Sequence, residues 1–378
     1  MKIVILSPVH PLRGGIAVLS EQLAQEMQLQ GYEVVIYSFS LQYPAFLFPG
    51  KTQRTNDPAP ADLTIKTRLN SVHPFNWIAV GREIAREQPD QVIVRFWLPF
   101  MGPALGTVLR VMRRSSKQPV RITALVDNII PHEKRFGDRP FAQYFVDACD
   151  DFVVMSRAVG EQIRLFTTTK PVRCSPHPVS YQYGVPMERS AARQQLNIPS
   201  DVPLVLFFGF IRVYKGLDLL LQALATPLLR HRAPRVHVLI AGECYDDWAF
   251  YQSIIDEHQL GEYVHLHTEF IPSDQVRVFF SAADLMVQPY RSATQSAISQ
   301  VAYAFDKPMV VTNVGGLPEI VTHGVSGYVV EPDPAAIAGA IHDFFENDLA
   351  ARFQEGMQAE KLRFSWSHFI DTLRSTAG

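Results

Sequence analysis

Short apolar runs alternate with helical patterns along this chain, and the alternation occurs twice. In the first half, the runs KIVILS, EVVIYSF, QVIVRFW and RITALV are separated by helical patterns such as AVLSEQLAQEMQLQG. After a break, the alternation restarts with LVLFFGFI, VHVLIAG, LMVQPY and MVVT. Repeated strand–helix alternation predicts parallel sheets with helices on both faces. We therefore predict an α/β protein with two Rossmann-like domains.

The break between the two halves is the stretch PVRCSPHPVSYQYGVPMERSAARQQLNIPSDVP, whose proline and polar residues predict a linker. The chain has 378 residues, whereas one domain usually holds about 100–200. We expect an N-terminal domain over 1–183, a C-terminal domain over 184–355, and a helix within 356–378 that packs back toward the N-terminal domain. Two such sheets are expected to face each other across a cleft that holds ligands.

The composition limits the class of partner and the compartment. A formal net charge of −2 gives no reason to expect a nucleic-acid partner. The cysteines Cys149, Cys174 and Cys244 have no CxxC spacing, which favours reduced thiols over a zinc or disulfide site. The N-terminal run lacks a signal-peptide pattern, so we predict a cytoplasmic protein. The segment YPAFLFPGKTQR contains both aromatic and basic residues. It could contact the inner membrane face peripherally, and the alternative is that it is a mobile active-site loop.

Glycines and cations follow the first strand of each half. Gly14 and Gly15 precede a helix, where glycine lets a ligand approach the backbone and free N–H groups attract anions. In the second half, Gly209, Arg212 and Lys215 lie on the loop between a strand and a helix. Two cations at the C-terminal edge of a parallel strand suit a diphosphate. The alternative for Gly14 and Gly15 is an ordinary strand–helix turn. The alternative for Arg212 and Lys215 is a solvated turn without a ligand.

Short polar residues precede a small apolar helix in the segment RSATQSAISQVAYAF. They could cap that helix, or they could bind phosphate and sugar hydroxyls beside its N-terminus. In NVGGLPEIV, the glutamate in the first turn of the predicted helix could either cap that helix or contact a ligand. The donor-site candidates from these two segments are Ser292, Thr294, Gln295, Ser296 and Glu319.

Polar side chains also follow two strands of the first half, which suits a substrate site. A lone histidine among them is open between a structural and a functional role. No HxxxH or HExxH spacing occurs, so a protein metal site is not expected, and the absence of GxSxG disfavours an α/β-hydrolase. The candidates are Arg95, Trp97, Asp127, Asn128, His132 and Glu133.

Together, GFIRVYKGLDLLLQA, LIAGE, FFSAADLMVQPY, AFDKPMVVTNVGGLPEIV, GVSGYVV and the terminal FSW resemble the retaining glycosyltransferases of family 4 (group 1), which have the GT-B fold. The resemblance covers nearly the whole chain. It implies that a nucleotide-diphosphate sugar lies between the domains, with its diphosphate at Arg212 and Lys215. The turn 292–296 would hold the distal phosphate and the sugar, and Gly15 would approach from the first domain.

The resemblance implies a hexosyl- or related glycosyltransferase that needs neither cofactor nor metal. It would move a sugar to a hydroxyl of a glycan, glycolipid or small molecule, in glycan or glycolipid biosynthesis. Acceptor contacts would come from Arg95, Trp97, Asn128 and Glu133. The leaving diphosphate would be stabilised by fixed cations and helix dipoles. The catalytic residues would be Arg212, Lys215, Asp127 and His132.

The chain departs from the family pattern at three positions. Two glutamates common in the family are replaced by Ala293 and Val301, and a frequent histidine by Asp127. These losses motivate an alternative, namely a non-catalytic sugar-nucleotide or polysaccharide-binding partner in a surface-polymer assembly complex. A GT-B sugar-nucleotide epimerase is a second alternative. The sequence leaves the donor sugar, the base, the acceptor and the oligomeric state open.

Overall fold

The computed structural model describes residues 1–44, 53–55, 58–130, 137–293 and 296–375. The chain divides into two compact units. Met1–Pro176 and the segment that begins at Trp366 form the first unit, and His177–Ser365 form the second. Residues just after Pro176 pack on the second unit, where the Val179 N–H donates to the Phe364 carbonyl at 3.0 Å. The first boundary therefore lies at 176/177, within the stretch predicted as a linker.

The first unit contains a seven-stranded sheet in which all neighbouring strands are parallel. Its strands are β1 (Lys2–Leu6), β2 (Glu33–Leu41), β3 (Thr64–Asn70), β4 (Gln91–Phe96), β5 (Arg121–Val126), β6 (Asp151–Val154) and β7 (Val172–Cys174). Its first five helices are α1 (Gly15–Leu29), α2 (Pro74–Arg86), α3 (Gly102–Ser115), α4 (Asp138–Ala148) and α5 (Arg157–Arg164). The strands lie in the sheet in the order β3-β2-β1-β4-β5-β6-β7.

The second unit contains a six-stranded parallel sheet in the order β10-β9-β8-β11-β12-β13. Its strands are β8 (Leu204–Phe208), β9 (His237–Ala241), β10 (Val264–His267), β11 (Leu285–Gln288), β12 (Met309–Thr312) and β13 (Gly327–Val330). Its helices are α6 (Arg189–Gln195), α7 (Leu217–Ala225), α8 (Pro227–Arg230), α9 (Trp248–Glu257), α10 (Val276–Ala282), α11 (Ala297–Ala304), α12 (Leu317–Ile320), α13 (Pro334–Glu346) and α14 (Ala350–Glu360).

The prediction of two Rossmann-like parallel-sheet domains is confirmed. Burial on both faces explains the apolar runs, because Ile3, Val4, Ile5 and Leu6 of β1 are each at most 1% exposed. Strand order reverses between β1 and β4 in one sheet and between β8 and β11 in the other. In open sheets of this kind, ligands bind beyond the strand C-termini at such a reversal. The loops after these four strands are therefore the candidate positions for a ligand site.

The last helix, α15 (Trp366–Arg374), belongs to the first unit. Its buried side chains, Phe369 and Ile370 among them, join the core that covers one face of β1 and β4. Gln91 Nε2 and Arg121 Nη1 donate to the carbonyls of Leu373 and Arg374 at 3.0 and 2.6 Å. None of the helices within the described ranges is long and apolar enough to span a bilayer.

The stretch predicted to contain the linker also contains β7 and α6. The segment LDLLLQALATPLL has the apolar pattern of a single helix, but the structure divides it into α7 and α8 at Thr226. Pro227 explains this break, because proline cannot donate the backbone hydrogen bond that a continuous helix requires.

Candidate functional site

Lys215 is a buried cation at the point of strand reversal in the second sheet. It ends a single 3₁₀ turn, Val213–Lys215, and Gly216 then takes a left-handed conformation at the start of α7, with φ +66°. Its side chain folds back over Gly209, because a Cβ added at that glycine would lie 2.9 Å from Nζ. Nζ also lies 5.5 Å from the centroid of the Tyr290 ring.

The ammonium of Lys215 has no acidic counterpart inside the part of the chain that the structure describes. The residue is only 8% exposed, and Nζ makes neither an ion pair nor a hydrogen bond there. A charge on a mostly buried side chain is costly unless a partner or water contacts it. Ile298, in the first turn of α11, lies over the same glycine. The free N–H groups of that turn and the ammonium together favour an anion here.

Ser296 is the residue at the N-terminus of α11. It is 6% exposed, and its hydroxyl does not cap the helix. Instead its Oγ accepts a hydrogen bond of 2.7 Å from Gln288 Nε2. Thr294 and Gln295, which precede it, lie outside the described residues, whereas Ser292 is exposed.

Arg212 lies on the same loop as Lys215 but near the surface. Its guanidinium is 4.8 Å from the centroid of the Tyr245 ring, a cation–π contact. The Tyr245 hydroxyl donates to Glu243 at 2.9 Å, and Phe210 meets the tyrosine ring edge-on at 5.0 Å. These contacts hold Arg212 as a second, half-buried cation beside Lys215.

An ion pair ties the two candidate donor loops together. Arg291 Nη1 and Nη2 donate to the two carboxylate oxygens of Asp218 at 2.7 and 2.6 Å. The Arg291 N–H also donates to the Tyr214 carbonyl at 2.7 Å. The hydrogen bonds to Asp218 raise the pKa of Arg291 above its ordinary value. The loop after β11 is thereby fixed to the Lys215 turn.

Glycines let these loops pack backbone against backbone. A Cβ added at Gly216 would lie 2.0 Å from the Pro289 carbonyl oxygen, and one at Gly315 would lie 1.4 Å from that of Ala293. In the same way, Gly242 packs against the Gly209 carbonyl, where a Cβ would approach to 2.3 Å. These positions have no room for a side chain.

The Gly315–Gly316 turn therefore supports the loop that contains Ser292. Glu319 follows this turn in the first turn of α12, where it is half-buried, and its N–H donates to the Gly316 carbonyl at 3.2 Å. Its contribution to helix-start geometry is compatible with a further contact to a ligand.

In the first unit, Arg95 and Asp127 form a bidentate ion pair at the ends of β4 and β5. Arg95 Nε and Nη2 each donate to the carboxylate at 2.7 Å. Arg95 is 3% exposed, and its Nη1 donates to Ser20 Oγ and the Ile16 carbonyl at 3.2 and 3.3 Å. The pair thus reaches the first turns of α1. Four of the five guanidinium N–H groups of Arg95 are thus used inside the unit, and its predicted contact with an acceptor stays a prediction.

The remaining candidates of the first unit occupy different environments. Gly14 has φ +115°, and a Cβ added at Gly14 or Gly15 would have no atom within 4 Å, so the backbone there is open to a ligand. Trp97 Nε1 donates to the Tyr43 hydroxyl. Asn128 Oδ1 is buried and has no hydrogen-bond partner among the described residues. His132 and Glu133 lie outside those residues.

Residues 188–360 match the family model for glycosyl transferases group 1. The D-inositol 3-phosphate glycosyltransferase of Streptomyces scabiei is 26% identical over 95% of this chain and 86% of its own length. That of Mycolicibacterium gilvum is 31% identical over 62% of this chain and 53% of its own. Residues 188–360 therefore form a group 1 glycosyltransferase domain. The family predicted from the sequence is confirmed.

Solved structures confirm the GT-B fold of this glycosyltransferase. The Anabaena protein HepE, crystallised with UDP, is 18% identical and superimposes with a TM-score of 0.75 over 100% of both chains. The sucrose-phosphate synthase of Thermosynechococcus elongatus is 19% identical and gives a TM-score of 0.69 over 97% of this chain and 96% of its own.

Within the described ranges, no group of three or more His, Cys, Asp and Glu side chains is placed to hold a metal ion. Several residues that shape the candidate site were not identified from the sequence, namely Asp218, Tyr245, Gln288, Tyr290 and Arg291. Arg291 directly precedes a predicted contact, Ser292, and an arginine in that position was the one available signal. The others contact the site through residues distant in the chain.

Proposed function

We propose that this glycosyltransferase transfers a sugar from a nucleotide-diphosphate donor to an acceptor hydroxyl with retention of configuration. The donor diphosphate would lie against Lys215 and the N-terminus of α11. The observation that carries the proposal is Lys215, which is only 8% exposed at a point of strand reversal and whose ammonium has no ion-pair or hydrogen-bond partner among the described residues. A diphosphate would supply the missing negative charge.

The second cation and the neighbouring structures support the same assignment. Arg212 lies on the same turn and is held by Tyr245. HepE has been crystallised with UDP and with UDP-glucose, which supports a nucleotide sugar, and a hexosyl donor in particular. Ser292, Thr294, Gln295 and Glu319 are proposed as further donor contacts.

Catalysis would rest on stabilising the leaving diphosphate. Lys215 and Arg212 are fixed by aromatic rings and by a short helical turn, so their charges need little reorganisation as the glycosidic bond breaks. These cations and the α11 N-terminus would replace a divalent metal as the positive field. The leaving phosphate would receive the proton of the incoming hydroxyl.

We assign the acceptor to the carboxyl ends of β1, β4 and β5 in the first unit. The unpaired Oδ1 of Asn128 can accept a hydrogen bond from an acceptor hydroxyl. Asp127 would act through Arg95, which it neutralises and which contacts the start of α1. Trp97, Glu133 and His132 remain proposed contacts, with His132 as a catalytic candidate. The proposed acceptor is a glycan, a glycolipid or a small molecule.

Calorimetry with UDP, GDP and ADP tests the donor site. Lys215→Met should weaken the best-bound diphosphate about 10- to 100-fold, because a hydrogen bond to a charged group contributes about 1.5–3 kcal/mol. Lys307→Met is a matched control, since Lys307 Nζ donates to the Ala283 carbonyl at 2.7 Å and burial lowers the pKa of this lysine to about 8. The control should bind normally. Equal affinities in wild type and Lys215→Met would contradict the proposal.

Product analysis tests the reaction itself. Proton NMR of the new glycosidic bond should show the anomeric configuration of the donor sugar, and inversion would contradict the assignment of retention. Turnover should persist in EDTA, because fixed cations stabilise the diphosphate. Loss of turnover in EDTA that added Mg²⁺ or Mn²⁺ restores would show that a metal is needed.

A further inference from the structure

Gln288 is a buried polar residue at the end of an otherwise apolar strand. It follows Leu285, Met286 and Val287 in β11 and is only 1% exposed. Both ends of its amide are hydrogen-bonded. Nε2 donates to Ser296 Oγ at 2.7 Å, and Oε1 accepts from Ser299 Oγ at 2.6 Å. Burying an amide costs free energy unless its bonds are made, so this arrangement fixes the first turn of α11 to the sheet.

The amide also sets the direction of these hydrogen bonds. Ser299 must donate, because an amide oxygen only accepts. Ser296 must accept from Nε2, so its own hydroxyl hydrogen is still available for donation. Among the described residues, that hydrogen has no acceptor, and the hydroxyl does not cap α11. Gln288 thereby converts Ser296 into a hydrogen-bond donor at a helix N-terminus, where an anion would be favoured.

The same amide reaches the cationic side of the site. Gln288 Nε2 lies 3.2 Å from the hydroxyl of Tyr290, whose ring is 5.5 Å from Lys215 Nζ. Tyr290 is 4% exposed, and Thr312 Oγ1 donates to its carbonyl at 2.6 Å. One side chain therefore contacts both the residue at the start of α11 and the ring beneath the buried lysine.

We propose that Gln288 is a positioning residue for the donor diphosphate. It orients the Ser296 hydroxyl so that its hydrogen is donated to a phosphate oxygen, and it holds Tyr290 beneath Lys215. This inference rests on the proposed function. A carboxylate at position 288 would accept from Ser296, reverse the polarity of that hydroxyl and place a negative charge beside the phosphate.

Two buried glutamines of the same unit give a matched pair of variants. Gln300 in α11 is 0% exposed, and both its amide atoms lack a partner among the described residues. The probe is whichever of UDP, GDP and ADP the wild type binds best, measured by calorimetry. Gln288→Leu should weaken it about ten-fold and raise the donor KM without changing the acceptor KM. Gln300→Leu should leave both unchanged, and equal behaviour of the two variants would overturn the inference.

A double-mutant cycle tests whether Gln288 acts through Ser296. Ser296→Ala should also weaken the diphosphate about ten-fold, and combining it with Gln288→Leu should cost no more than about two-fold further, because residues in one network are not additive. Fully multiplicative losses would overturn the inference.

Gln288→Glu provides a second test if Gln288→Leu does not fold, because glutamate is isosteric with glutamine. Its affinity should be lowest at pH 8 and recover toward pH 5.5, where a protonated carboxyl can again donate to Ser296. In a Ser296→Ala background this recovery should disappear. A pH response that is identical in both backgrounds would overturn the inference.

Lys215→Met separates the two proposals. If Lys215→Met loses diphosphate affinity as predicted while Gln288 substitutions leave that affinity unchanged, only the positioning role is overturned. A wild type that binds none of the three diphosphates would overturn both proposals.

Discussion

Arg291 and Asp218 form a bidentate ion pair that joins the loop after β11 to the first turn of α7, with N–O distances of 2.7 and 2.6 Å. The two side chains are 39% and 10% exposed. Their main role is geometric, because one loop precedes Ser296 and the other contains Lys215. The pair therefore sets the separation of the cationic and helix-terminal sides of the proposed diphosphate site.

Breaking this pair should weaken diphosphate binding more than it lowers stability. Arg291→Met would leave Asp218 as a mostly buried carboxylate near the phosphate, and we expect about a ten-fold loss of affinity by calorimetry. Adding Asp218→Asn should restore part of it. Arg189→Met, which breaks the 2.8 Å ion pair with Asp284 elsewhere in the unit, should bind normally. An Arg291→Met variant with wild-type affinity would contradict the geometric role.

Gly315 should tolerate no side chain. Its φ is +53°, and a Cβ would lie 1.4 Å from the Ala293 carbonyl oxygen, so Gly315→Ala must displace the donor loop. We expect diphosphate affinity to fall at least ten-fold. Gly324→Ala is the control, because Gly324 has φ +77° with no atom within 4 Å of an added Cβ. It should lower stability by about 1 kcal/mol through backbone strain and leave affinity intact. Equal binding by both variants would argue against loop displacement.

Asp127 should prove more important for folding than its position at a strand end suggests. Asp127→Ala leaves Arg95, 3% exposed, without its carboxylate, and removal of one partner of a buried pair costs about 3–5 kcal/mol. Thermal unfolding should show a loss of that size, and Arg95→Met combined with Asp127→Leu should recover much of it. An Asp127→Ala variant that melts like the wild type but has no turnover would instead assign Asp127 directly to catalysis.

Glu87 should make the first unit sensitive to acid. Burial acts to raise the pKa of Glu87, but hydrogen bonds from Lys2 and Lys66 outweigh it and lower this pKa from 4.5 to about 2. A depressed carboxyl pKa stabilises the fold above the unfolded value and loses that effect as the pH falls. Glu87→Gln should therefore cost about 1 kcal/mol at pH 7. In melting experiments its difference from wild type should close between about pH 4.5 and 2. A constant difference would contradict this.

Elements whose residues are buried along their whole length were the ones that the sequence predicted. Strands such as β1 and β8 are apolar on both faces and are evident as apolar runs. β3 was not predicted, because its segment TIKTRLN is mostly polar and only Leu69 is fully buried. α3 was not predicted either, since Gly102 and Gly106 lower helix propensity. Both glycines are needed for packing, because an added Cβ would lie 2.2 Å from the Phe141 carbonyl oxygen and 2.7 Å from the Tyr144 ring.

The candidate site divides in the same way. Gly209, Arg212 and Lys215 were identifiable because one strand–turn–helix segment contains all three. The bond from Gln288 to Ser296 and the ion pair from Arg291 to Asp218 depend on how separate loops pack together. No local pattern specifies such contacts.

The glycine contacts bear on how such a site changes during evolution. At Gly216, Gly242 and Gly315, the neighbouring loop is positioned by a carbonyl oxygen, which every residue type supplies. Substitutions in the contacting loops therefore alter the groups offered to a sugar while the main-chain frame around the phosphates keeps its shape. A mutational library over 292–296 in this background would thus sample donor preference largely apart from foldability.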